Sequence, residues 1–140
     1  MLDTDVVIAA LDRRDAHHRE AATAIKHMIA DEVELLVSMI NYAEALVRPA
    51  ENEKTLSVAI DALAALGVRP ISPTAAVARD AARFRSLNIS LADGFALATA
   101  RHQSAAVASF DRRVRRAMSK LGLKLPEPLA GESEVAGDSA

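Results

Sequence analysis

Cysteine and tryptophan are absent from the 140 residues, and there is one tyrosine beside three phenylalanines. Without cysteine there can be no disulfide, no thiol nucleophile and no zinc–thiolate site. The lack also fits a reducing compartment. With so few aromatics the core must be built from Ala, Val, Leu and Ile. At 51% apolar the chain holds enough of these for one sizeable domain. A strong excess of one charge is missing too. At a net −2 the field of the whole molecule does not draw it to nucleic acid, so a local basic patch would have to do so. The first residues, MLDTDVVIAALDRRD, have no basic lead, and Asp3 and Asp5 interrupt their apolar run. This is neither a signal peptide nor a membrane span, and a soluble cytoplasmic protein is expected. There is no Gly-rich phosphate loop and no GxSxG elbow. His17, His18, His27 and His102 fall in no HxxxH or HExxH spacing and read as surface residues.

What is present is an alternation of short apolar runs with helix-period segments. Strands are expected at Met1–Leu2, Glu34–Ser38, Val68–Ile71, Ala106–Phe110 and Leu123–Leu125, with Pro70 arguing for weak pairing in the third or for an edge. Helices are expected at Val6–Leu11, Asp15–Ala30, Met39–Val47, Glu53–Leu66, Thr74–Leu87, Ser90–His102 and Arg112–Leu121. In the second of these Ala21, Ala24, Ile25, Met28 and Ile29 share a side, and Gly67 stops the fourth. Such alternation implies right-handed crossovers and a mainly parallel sheet covered on both faces. From Glu127 the composition turns acidic and small (EPLAGESEVAGDSA, with no basic residue). The chain therefore divides into a folded domain over 1–126 and a disordered tail over 127–140.

Four acids stand where such a fold gathers its chemistry: Asp3, Glu44, Asp93 and Asp111. Each follows an apolar run or lies on the helix after one, which puts them at the carboxyl ends of the strands. Carboxylates brought together repel, and a hard divalent cation such as Mg²⁺ or Mn²⁺ offsets the repulsion. Each acid also has a plainer reading. Asp5 or Thr4 caps the first helix. Glu44 faces solvent and pairs with Arg48 at i+4. Ser90 with Asp93 forms a capping box, and Asp111 caps the last helix. Ser109, on the same side of its strand as Asp111, supports the site. Gly94 inside a helix implies a close approach to its backbone, by a nucleic-acid strand or by a packed neighbour. Arg112, Arg113, Arg115 and Arg116 form the densest basic cluster, beginning beside Asp111. Such a run is ordinarily a solvated helix face. Next to an acidic metal site it would also hold a phosphate backbone.

The segments LDTDVVIAAL, NYAEAL, SLADGFALATA and ASFDRRV resemble, in order and spacing over about residues 1–125, the motifs of PIN domains, and specifically of VapC-type toxins of bacterial type II toxin–antitoxin pairs. SLADGFALATA is the most specific of the four. The resemblance implies a PIN-like three-layer α/β/α sandwich around a central sheet of four to five short strands. It implies an Mg²⁺- or Mn²⁺-dependent endoribonuclease leaving a 5′-phosphate and a 3′-hydroxyl. Asp3, Glu44, Asp93 and Asp111 match the family's acidic quartet. Asp5 stands where the family commonly has Asn, adding a candidate fifth carboxylate, and Ser109 matches a small hydroxyl position. A homodimer is implied, as is a cognate VapB-type antitoxin whose C-terminal segment blocks the site. Two alternatives stand beside this reading. Asp3-Thr4-Asp5 fits the opening of a haloacid dehalogenase-like phosphatase, and the same fold could be a non-catalytic binding module whose acids only cap helices.

Overall fold

The computed structural model describes residues 1–130. Along them, short side-chain caps decide where helices begin. Asp3 takes an extended conformation and its carboxylate accepts the Thr4 N–H, so α1 runs Thr4–Leu11. The cap is thus Asp3, and the helix starts two residues before the expected Val6. Helix α2, His18–Ala30, begins three residues later than its apolar period suggests. Asp12 and Asp15 turn the chain first, accepting the N–H groups of Arg14 and His17 at 2.9 and 2.8 Å. Its buried stripe is Ala21, Ala24, Ile25 and Met28, whereas Ile29 is exposed rather than packed.

Strand β1, Leu36–Ser38, leads through a Ser38 cap into α3, Met39–Leu46. Asn52 caps α4, Glu53–Ala65, which stops at Gly67 in the left-handed region (φ 76). Strand β2, Arg69–Ile71, follows. Thr74 caps α5, Ala75–Phe84, Ser90 caps α6, Leu91–His102, and Asp111 caps α7, Arg112–Leu121.

The sheet is sparser than the four to five strands expected. Among the described residues only β1 and β2 form a ladder, parallel, with Val37 opposite Pro70. The other strand-like segments join it by an isolated parallel bridge, Leu2 with Ala108, and by single bonds. Leu2 N–H donates to Leu36 O at 2.7 Å, Asp3 N–H to Ala108 O at 2.9 Å, and Val107 N–H to Lys124 O at 2.9 Å. The spatial order is therefore β2, β1, residues 1–3, residues 106–109, then Lys124. The outer segments stay short because helix caps interrupt them: Asp3 ends one and Asp111 ends the next.

Alternation along these segments divides the core between two faces. Leu2, Leu35, Val37 and Ala108 pack with Val6, Val7, Ile25, Met28 and Leu63. Met1, Leu36 and Val107 pack with Val77, Phe84, Leu97, Val114 and Met118. Helices α1, α2 and α4 thus cover one face, and α5, α6 and α7 the other. Of the tail expected over 127–140, Leu129 is only 1% exposed and belongs to the first face. Residues 131–140 lie outside the described residues. No helix among the described residues is long and apolar enough to cross a membrane.

Candidate active site

Parallel segments carry their carboxyl ends to one rim, and there the first acid is almost wholly enclosed. Asp3 is 2% exposed. One carboxylate oxygen accepts the Thr4 N–H at 2.9 Å, and the other accepts the Ser109 hydroxyl at 2.8 Å. Ser109 in turn accepts the Asp111 N–H at 3.1 Å, so one buried hydroxyl ties the first and last acids together. Burial above all, then the charge of Asp5, pushes the Asp3 carboxyl up to about 7; Asp93 adds to the rise, and the bonds from Ser109 and Thr4 oppose it. Asp5 is also raised, chiefly by burial. Its Oδ2 accepts the Phe110 N–H at 2.9 Å. Phe110, Val6 and His17 pull its pKa down, while Asp111 pushes it up. Asp5 therefore makes a supporting contact and does not cap α1. Charge couples Asp3 to Asp5 and Asp93, and Asp5 to Asp111.

Asp93 and Ser90 form the expected capping box, each accepting the other's N–H at 3.0 Å. Asp111 caps α7 through Arg113 and Val114, at 2.8 and 3.2 Å. Glu44 reaches the cluster by a different route. The expected pair with Arg48 does not form among the described residues. Instead the Thr4 hydroxyl donates to Glu44 Oε1 at 2.6 Å. Asn41 Nδ2 donates to that same hydroxyl at 3.0 Å and to Ala92 O at 3.2 Å. One amide thereby joins α3, where Glu44 sits, to α1 and α6. Asn41 is fully buried, and its role was missed in the sequence. The available signal was a polar side chain one helical turn before Glu44 in an apolar stretch. His17 was missed as well: it stacks on Phe110, with ring centroids 4.5 Å apart.

Gly94 is buried where α6 meets α5. A Cβ there would stand 2.8 Å from the Ala81 carbonyl oxygen. The close neighbour is thus packed protein, and no nucleic acid is needed to explain the glycine. On α7, Val114, Ala117 and Met118 face the core, leaving Arg112, Arg113 and Arg116 exposed. Arg115 differs from them: its Nε donates to Ser109 O at 2.7 Å, bracing the strand that holds the site.

Residues 1–119 match the PIN domain. The chain belongs to the PIN domain family. That assignment displaces the phosphatase alternative built on Asp3-Thr4-Asp5. Among curated proteins none matches it. Two solved structures share its fold. VapC20 of Mycobacterium tuberculosis, described as a sarcin–ricin loop cleaving toxin, is 18% identical. It aligns with a TM-score of 0.65 over 83% of this chain and 92% of its own. FitAcB from Neisseria gonorrhoeae is 26% identical, with a TM-score of 0.61 over 91% and 96%.

The chemistry of this PIN domain's donor set fits a hard divalent ion. The candidate donors at the rim are all oxygens, and Asp5 Oδ1 and Asn41 Oδ1 are buried without a hydrogen-bond partner. As the side chains stand, no three acids or histidines among the described residues are grouped so as to hold a metal. Three of the four acids, Asp3, Asp93 and Asp111, are engaged in capping helices.

Proposed function

We propose that this PIN domain is an Mg²⁺- or Mn²⁺-dependent endoribonuclease, the toxin of a VapBC-type pair. The observation that carries the reading is Asp3, raised first by its own burial and then by neighbouring acids, at a rim that also holds Asp93, Asp111 and Glu44. A cation held there by Asp3 and Asp93, and completed by Glu44 and Asp111, would acidify a bound water and neutralise charge on the scissile phosphate. Ser109 fixes the Asp3 carboxylate, and the Thr4 hydroxyl fixes that of Glu44. Asp5 supports the loop before Asp111. Arg112, Arg113 and Arg116 hold the strand by its phosphates, while Arg115 spends its side chain on Ser109 and acts as a brace. The likeness to a sarcin–ricin loop cleaving toxin supports RNA as substrate. A cytoplasmic homodimer held in check by a VapB-type antitoxin completes the proposal.

The test is cleavage of labelled total RNA with Mg²⁺, Mn²⁺ or EDTA, using the wild type and Asp93→Asn. Asparagine keeps the capping oxygen, so fold and activity separate. Metal-dependent cleavage lost in the variant supports the reading, and equal cleavage by both refutes it. The competing reading, a binding module on the PIN fold, draws on the capping bonds of Asp3, Asp93 and Asp111. It expects no rise in melting temperature with Mn²⁺, whereas a metal site raises it by mass action.

A further inference from the structure

One aromatic contact lies against the acidic rim without serving it. Phe110 stands between Ser109 and Asp111, with its N–H on Asp5 and its ring partly buried. The His17 imidazole lies on that ring nearly parallel, at 14°. The His17 side chain makes no cap bond to α2. Its edge is held instead by Glu20, with Nδ1 3.2 Å from Oε2, and its backbone N–H by Asp15. Its side chain is 53% exposed. The ring is thus pinned on one face and one edge, with about half of the side chain left to solvent. It is also near enough to the rim to act electrostatically on Asp5.

We infer that the His17–Phe110 stack is a platform on which an unpaired base of the RNA strand lies, beside the phosphate held at the acidic rim. The inference rests on the nuclease reading of that rim. The acids and arginines address only phosphates, which every RNA presents alike. A flat ring fixed next to them adds an interaction that requires a base to be splayed out of its helix, so it favours single-stranded loops over duplex. Stacking accepts any base, because every base has a π-face. The platform therefore selects for strandedness and leaves sequence to other groups. Preorganisation matters here: Phe110 and Glu20 hold the imidazole before the strand arrives, so little side-chain entropy is lost on binding.

The test is fluorescence anisotropy of a labelled oligoadenylate and of an abasic strand of equal length. Ca²⁺ replaces Mg²⁺, and gels verify that the strands stay intact. His17→Ala should weaken oligoadenylate binding about tenfold, near the low end of a base–aromatic stack, and leave abasic-strand binding unchanged. His17→Phe should restore affinity, and His17→Lys should not. The platform is overturned if His17→Ala binds oligoadenylate as tightly as the wild type, or if both strands lose affinity alike. It is overturned equally if lysine restores binding as well as phenylalanine, which would assign His17 a role as a charge. A wild type that binds oligoadenylate no tighter than the abasic strand also overturns it. The nuclease reading fails separately, if wild-type protein shows no metal-dependent cleavage of total RNA.

Discussion

Replacing Asp3 with asparagine should make the metal-free protein more stable at neutral and alkaline pH. The carboxyl of Asp3 has an ordinary value of 3.8 and is raised to about 7 by burial and by Asp5. Between those two values the folded chain binds a proton that the unfolded chain has released. Stability therefore falls as pH rises through that window, and the loss is complete above it. At 1.36 kcal/mol for each pH unit, the penalty of holding Asp3 ionised reaches about 4 kcal/mol. Asparagine keeps an oxygen for the Thr4 N–H and an amide within reach of Ser109, and it carries no charge to desolvate. In EDTA at pH 8 the variant should melt roughly 10 °C above the wild type, with the gap closing toward pH 4. With millimolar Mn²⁺ the order should compress or reverse, because only the wild type gains from the ion. Thermal melts from pH 4 to 9, in EDTA and in Mn²⁺, measure both effects. Parallel pH slopes in the two proteins, or a less stable variant at pH 8, would refute the account of Asp3 as a strained, buried charge.

Other perturbations follow from the same geometry. Gly94→Ala drives a methyl into the Ala81 carbonyl at 2.8 Å and should cost about 1–3 kcal/mol in urea unfolding; no loss would mean α5 and α6 can separate freely. Thr4→Val removes the hydroxyl between Glu44 and Asn41. It should slow single-turnover cleavage while costing about 1 kcal/mol in stability, with Thr4→Ser restoring the rate. The pair Arg112→Glu and Arg116→Glu should weaken RNA binding and flatten its salt dependence, by about 0.7 in log–log slope for each phosphate no longer neutralised. An unchanged slope would leave those arginines as solvated surface.

How much was legible depended on the range of the interaction involved. The helices at Arg112–Leu121 and Leu91–His102 were readable almost to the residue, because an Asp or Ser cap is a local signal. The sheet was readable as a set of segments but not as strands. Whether Ala106–Phe110 forms a ladder depends on neighbours a hundred residues away, and only the Leu2–Ala108 bridge and single bonds formed. The acids could be singled out as candidates, but which of them cap and which support could not. Nothing local told that Asp3 would be the cap and Asp5 the support, since both are good caps two residues apart. Asn41, His17 and the Thr4 hydroxyl act across elements, through partners that only folding brings together.

The arrangement of first turns has a further consequence. Helices α1, α3, α6 and α7 all begin at this rim, with Asp3, Ser38, Ser90 and Asp111 as their caps. Each helix start carries a partial positive charge of about one half, from aligned peptide dipoles. The backbone of these four first turns thus adds positive charge to the rim on which the carboxylates sit. That field cannot be removed by side-chain substitution and is weakened only by unwinding a helix start. It favours an incoming anion as much as it steadies the resident ones, so under the proposed nuclease activity it would help a phosphate approach acids that otherwise repel it.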